Sequence, residues 1–504
     1  MLRARRPPAI LLPLFLAILV QGQADWRYRP IELPGAQRFP LPEADLLKIR
    51  DNQDVGQMRA RAWALFAGVT ASTSPSEKDS PIWTTWYTKC DVGLLDCPVV
   101  PTGRRKTEYR LIRGFELPVQ DFVQLLLQSP GKHSPQPLQP KDVPDSSIDA
   151  LLEDVEKPPQ FASVLYNQPA KRHILDNRLH AKLGLDAILK QRLDSHSPKA
   201  EREVPPFPND SIVLKMDWKL VAIASGSTHL TEPIPIENRA PHPVRPPDPQ
   251  GRGSGQETMA VMDTDRKDCG DLDYDPPNSH EPVTVPMGCF YAFRIDPNSI
   301  VWKLLPGLIQ PLDPRVYYLV LMAVHLTTKE TPDWVWATFW WNNHSSDPNY
   351  GWDRPSPRLL KGDKWRHFLM DTTLSETTPL ELDHGPRICF NPYLEARFPD
   401  SNCVHCHKRA VYSPDQQASK QTCGYEVGSA PRCSEKDNGR LPTCSKLQAS
   451  CDKPIEDYFK GVLQTDFLWT IADAQNAAFQ QMMERVLKRF RDLQMEHQKS
   501  PAKP

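Results

Sequence analysis

Apolar positions along the chain change their period, and each change predicts a different kind of element. In "LPEADLLKIRDNQDVGQMRARAWALFAGV", residues 41–69, apolar side chains return every three or four positions, which gathers them on one face of a helix. "ILDNRLHAKLGLDAILKQRL", residues 174–193, repeats that spacing. Further on the pattern becomes one of strands: "SIVLKMDWKLVAIA" at 211–224 and "VYYLVLMAVHL" at 316–326 are rich in β-branched and aromatic residues. The second is apolar at odd and even positions alike, which predicts a strand inside a sheet covered on both sides. Just after it, "TTKETPDWVWATFWW" sets a short polar turn containing Pro332 between two apolar runs, as a β-hairpin requires. In an extended second arm Trp334, Trp336 and Trp340 share one face, while Val335, Ala337, Phe339 and Trp341 take the other. The tryptophan face is either sheet core or a platform for a sugar or the face of a macrocycle. The last long pattern, "IADAQNAAFQQMMERVLKRFRDLQM", aligns Phe479, Met482, Met483, Val486, Phe490 and Leu493 along one side of a helix that should dock back on the body.

These elements predict an α+β fold: a largely antiparallel sheet core with peripheral helices, long proline-rich loops and a short helix carrying the motif described below. The 53 prolines stand against 23 glycines, and they cluster at 129–147, 197–208 and 233–255, which read as connectors or long surface loops. The expected organisation is a leader at 1–24, a mainly helical and loop region at 25–200, a β-rich region at 201–385, and a motif-bearing region at 386–504 that ends in the helix.

Arg3, Arg5 and Arg6 precede the apolar run "AILLPLFLAILV", and polar "QGQA" follows, which is the layout of a secretory signal cleaved near Ala24. "RRPP" fits the twin-arginine route poorly. The run from Ala9 to Val20 is short for a membrane span, so no stable span is expected after cleavage, and the predicted location is periplasmic or secreted. With 61 basic and 62 acidic side chains the net charge is −1, which argues against a nucleic-acid partner. "DLDYD" places Asp271, Asp273 and Asp275 at alternate positions, but Pro276 and Pro282 stand where a calcium loop needs glycine and glutamate.

The strongest chemical signal is Cys403-Val404-His405-Cys406-His407. Cys-x-x-Cys-His is the attachment pattern for c-type haem. On a helix, residues three and four apart face the same way, so both thiols can reach the two haem vinyl groups while His407 ligates iron. One covalent haem c per chain is therefore expected, on Cys403, Cys406 and His407, with His405 pointing away. Asp400, Ser401 and Asn402 are N-cap candidates, and a helix of about three turns is anticipated before Pro414. Candidates for the position opposite His407 are Met370, His367, His384 and Met482. Structural zinc is the alternative, using Cys403, Cys406, His407 or His405 with a cysteine from the following segment. Of the other cysteines, Cys90 with Cys97 and Cys269 with Cys289 are sensible disulfides. Cys423, Cys433, Cys444 and Cys451 read as two more, with three possible connectivities, which leaves Cys389 unpaired.

Several phrases together resemble a poorly characterised bacterial family of large exported cytochrome-c-like proteins with a single haem motif: "PIWTTWYT" at 81–88, "SIVLKMDW" at 211–218, "PDWVWATFWW" at 332–341, "ICFNPYLEARFPDSNCVHCH" at 388–407 and "TDFLWT" at 465–470. The resemblance implies covalent haem on Cys403 and Cys406 with His407 as proximal ligand. The expected function is haem iron binding and one-electron transfer with a redox partner protein or small molecule. A haem enzyme or small-molecule sensor with an open distal site is a second expectation, and a non-redox binding module with structural zinc a third.

Overall fold

The computed structural model describes, with short gaps inside several of them, residues 28–73, 80–97, 111–116, 143–148, 160–195, 202–236, 258–270, 282–295, 315–343, 350–374, 380–394, 403–412, 462–474 and 481–492. Helices α1 (Glu43–Asp51) and α2 (Val55–Thr70) come first, followed by the short strands β1 (Tyr87–Thr88) and β2 (Phe115–Glu116) and by β3 (Gln160–Tyr166). Helices α3 (Gln168–Asp176) and α4 (Lys182–Asp194) lead into β4 (Ile212–Ala222), β5 (Ile234–Ile236), β6 (Thr258–Asp263), β7 (Val283–Pro286) and β8 (Ala292–Ile295). The long strand β9 (Tyr317–Thr328), β10 (Val335–Trp341) and β11 (Phe368–Thr373) complete the main sheet, and β12 (Leu380–Glu381) with β13 (Gly385–Pro386) forms a small hairpin.

The main sheet has 8 strands in the order β1-β3-β4-β9-β10-β11, with β2 also on β3 and β8 also on β9, and every pairing in it is antiparallel. The α+β expectation is met. Every residue of β9 is buried, as its two-sided apolar pattern predicts; its apolar residues join the core cluster that holds α2 and the β5-β6-β7 strands, while α3 and α4 pack with residues of β3, β4 and β10. The β9–β10 hairpin also forms, with Val335 facing Thr328. Residues 25–200 contribute three strands to the sheet, so the sheet runs across the boundary expected at 200. A separate three-stranded sheet, β5-β6-β7, contains the parallel pair β6–β7.

Helix breaks follow local backbone chemistry. The periodic stretch 41–69 is two helices, because Gln53 turns left-handed (φ 52°) and Asp54 caps α2 by accepting the Gln57 N–H at 2.9 Å. Arg178 (φ 54°) likewise separates α3 from α4, and α3 starts at the Asn167 cap, ahead of the predicted 174. On one sheet face Phe66 of α2 stacks on Phe339 of β10 with ring centroids 4.0 Å apart, and Trp63 packs at 5.4 Å. Arg59, 1% exposed, grips Asp353 with two hydrogen bonds and also donates to the carbonyls of Met370 and Tyr350. Residues 31–33 cross α2 at Gly68, where a Cβ would meet Leu33 Cδ2 at 2.8 Å. Where described, residues 481–492 are helical; Met482 and Val486 are buried, and Arg485 donates to the Val143 carbonyl and Asp145, so this segment does dock on the body.

Candidate functional site

Side chains of β10 alternate between the faces, so Phe339 meets α2 while Trp336 points the other way. Against Trp336 lies helix α5 (Cys403–His407), with the Trp336 and His407 ring centroids 4.3 Å apart. The described helix is little more than one turn, shorter than the three turns expected, and it closes with Lys408 N–H on the Val404 carbonyl and Ala410 N–H on the His407 carbonyl. The chain then enters β14 (Val411–Tyr412), which pairs antiparallel with β15 (Leu463–Gln464), just ahead of α6 (Trp469–Ala474). The backbone of His405 and Cys406 lies in α5; their side chains fall outside the described residues.

Between β15 and α6 two successive non-glycine residues, Asp466 (φ 48°) and Phe467 (φ 67°), adopt the left-handed conformation. Asp tolerates it, but for Phe it is unfavourable and persists only where the surroundings impose it. Here they do. The Asp466 carboxylate accepts from Lys329 Nζ (2.5 Å), Trp334 Nε1 (3.1 Å) and the Phe207 N–H (2.9 Å), while Thr465 N–H and Oγ1 both donate to the Ala410 carbonyl. The turn so fixed aims the Phe467 carbonyl at His407 Nδ1, 2.8 Å away. A carbonyl only accepts, so Nδ1 carries the proton, and Nε2 is the ring atom whose lone pair can ligate a metal.

Cys403, 2% exposed, has its Sγ 3.5 Å from Cys389 Sγ. The position of Cys389 is set by β10. Fully buried Asn391 donates to Thr338 Oγ1 (2.6 Å) and the Phe339 carbonyl, its own Oδ1 accepts from the N–H groups of Tyr393 and Leu394, and the Tyr393 hydroxyl donates to the Trp341 carbonyl. Cys389, which cysteine pairing leaves over, therefore sits at the motif. Trp334 and Trp336 are 0% and 2% exposed, so they are sheet core with His407 as neighbour, and no open platform.

The three described candidates for the position opposite His407 are not brought to it. Met370 lies directly across from Phe339 in the β10–β11 register, on the α2 face of the sheet. Met482 belongs to the core cluster that contains α2. His367 is buried beside the Cys269–Cys289 disulfide, its Nε2 3.2 Å from Cys269 Sγ. His384 lies outside the described residues, as do Cys423, Cys433, Cys444, Cys451 and the calcium-like aspartates Asp271, Asp273 and Asp275.

Both disulfides expected in the described residues form, Cys90–Cys97 and Cys269–Cys289. Among the described residues one group has metal-ligand spacing: Cys269, Cys289 and His367, all buried. Its sulfurs are bonded to each other, so they offer no thiolate, and His367 is held neutral there: burial pulls its pKa down to about 4, with Arg354 and Arg366 adding to the effect. The group reads as a core disulfide packed on a core histidine.

Sequence reasoning reached Cys403, Cys406 and His407 through their spacing but missed Asp466, Lys329 and Cys389 as parts of the site. Compared with family models, with curated proteins and with solved structures, the chain matches none. Among the described residues no helix is long and apolar enough to cross a membrane, and the two disulfides are compatible with an oxidising compartment.

Proposed function

We propose that this protein is an exported monohaem c-type cytochrome-like protein, with haem held covalently by Cys403 and Cys406, His407 as proximal ligand, and a role in one-electron transfer. The observation that carries the reading is the His407 hydrogen bond. A ligating histidine needs its second nitrogen fixed by an acceptor, which sets the tautomer and raises the basicity of the ligating nitrogen. The Phe467 carbonyl supplies that acceptor, on a turn whose left-handed backbone is held by Asp466. The Cys403 thiol and the oriented His407 imidazole are donors of the kind haem c attachment uses, and the sequence supplies Cys406 as the second thiol. Bound there, haem would supply an iron centre that cycles between ferrous and ferric. The chain's own part is to orient the imidazole, keep a proton on Nδ1, and cover that side with Trp336 and Phe467.

A second reading has its own support: a sulfur–sulfur distance of 3.5 Å is near the roughly 3.8 Å that separates two thiolates on one tetrahedral zinc, with Cys389 in place of the downstream cysteine first expected. One experiment separates them. The full chain is produced with cytochrome c maturation machinery, run on a denaturing gel with haem stain, and examined in oxidised and reduced spectra. Covalent stain that disappears in Cys403→Ala with Cys406→Ala supports haem; absence of stain together with stoichiometric zinc overturns it. A low-spin spectrum would mark an electron carrier, and a high-spin iron that binds carbon monoxide or cyanide a haem enzyme or sensor.

A further inference from the structure

We propose that Cys389 and Cys403 form a reversible disulfide in the haem-free protein, so that Cys403 is held back from haem attachment until Cys389 is reduced off it. The inference rests on the haem reading for its consequence but not for its chemistry. The two sulfurs are 3.5 Å apart, both side chains are buried, and they need to approach by only about 1.5 Å to reach bonding distance. Neither partner is on a free strand end. Cys403 opens α5, and Cys389 is placed by the Asn391 and Tyr393 hydrogen bonds to β10. The Cys403 Sγ also lies 3.5 Å from the Cys389 carbonyl, a second contact in the same register.

The expected rival for Cys403 in an oxidising compartment is Cys406, its motif partner. Cys389 competes because its sulfur is already in place, and exchange is favoured when the second thiol is held at the first. In the forward step, both thiols lose their protons and two electrons pass to a disulfide-donating oxidant, which leaves as a dithiol. In the reverse step a dithiol reductant restores both thiols. Thioether formation itself is redox-neutral, an S–H adding across a vinyl C=C, and it requires Cys403 as a free thiol. Cys389 is therefore a resolving cysteine for the attachment site.

The test uses the full chain made in an oxidising compartment without maturation machinery. It is alkylated under denaturing, non-reducing conditions, digested and mapped by mass spectrometry. The expected result is a linked peptide pair joining Cys389 to Cys403, lost on addition of dithiothreitol, with Cys406 not joined to Cys403. Alkylated Cys389, or Cys403 joined to any other cysteine, overturns the proposal. A second measurement uses Cys389→Ser and Cys389→Ala co-produced with maturation machinery. Haem stain per mole of chain in the wild type should fall when dithiol reductant is limiting and recover when it is supplied, whereas in either variant the link to position 389 cannot form and the dependence should be clearly weaker, with only a Cys403–Cys406 link left to reduce. Equal dependence in wild type and variants overturns the gating role. If the 389–403 link is found but no chain takes up haem, the haem reading fails while the disulfide stands. If haem attaches but the link is absent, only the present proposal falls.

Discussion

Asp466→Asn is the substitution that tests the architecture of the site most directly. Asn tolerates a left-handed backbone as well as Asp does and keeps one side-chain oxygen, so the change removes the charge together with one acceptor, for either the Phe207 N–H or the Lys329 and Trp334 donors. What it exposes is Lys329, 8% exposed, whose ammonium then lies buried without its counter-ion. Removing one member of a buried pair costs about 3–5 kcal/mol. Lys329 retains its bond to the Pro332 carbonyl (2.7 Å) and its place over the Trp334 and Phe467 rings, so the lower end, about 3 kcal/mol, is expected. The assay is urea unfolding of the haem-free chain, followed by tryptophan fluorescence and circular dichroism. Adding Lys329→Met removes the orphaned charge and should recover more than half of the loss. A single variant within about 1 kcal/mol of wild type, or a double variant no more stable than the single, would refute the claim that the buried Lys329–Asp466 pair stabilises this part of the fold.

Three further outcomes are expected. Phe66→Ala removes the ring stacked on Phe339 and should cost about 3–5 kcal/mol in the same unfolding assay, while the Cys389–Cys403 link still maps as in wild type. Cys269→Ser with Cys289→Ser opens a loop with a sequence separation of 20 and should cost about 3 kcal/mol, read as a lower urea midpoint under non-reducing conditions. His367 has a folded pKa near 4, below its unfolded value, so the unfolded chain binds the extra proton between about pH 6.5 and pH 4. Stability from this group is therefore complete above about pH 6.5 and is lost as pH falls, by about 3 kcal/mol at pH 4, a slope that His367→Gln should remove.

Much of the sheet can be read in the residues themselves. β9 is apolar at odd and even positions alike and every residue of it is buried, and β4 and the β9–β10 hairpin fall where β-branched and aromatic residues concentrate. Strand β3, "QFASVLY", and strand β11, "FLMDTT", are too short and too polar in places to declare a period, and only pairing with β4 and β10 makes them strands. Met370 shows how the same limit affects the site. As a methionine upstream of the motif it is a reasonable ligand candidate, but once the β11 register is fixed its position across from Phe339 commits it to the wrong face. Asp466 and Lys329 are invisible to spacing because 137 positions separate them, and the value of "TDFLWT" emerges only when its turn meets the carbonyls and side chains of three distant segments. Cys389 could be flagged by its odd count, though not located.

The way α5 is anchored bears on how any partner can reach it. Val204 N–H and Gln464 N–H link β15 to residues 202–204, Lys182 of α4 donates to the Tyr412 hydroxyl, and Trp336 of the sheet lies against His407. The motif is thus mortared into the main body and is no module on a swinging tether. On the haem proposal, a partner exchanging an electron or a ligand would meet a fixed approach, so encounter geometry, more than the reach of a flexible arm, would govern its rate and its choice of partner.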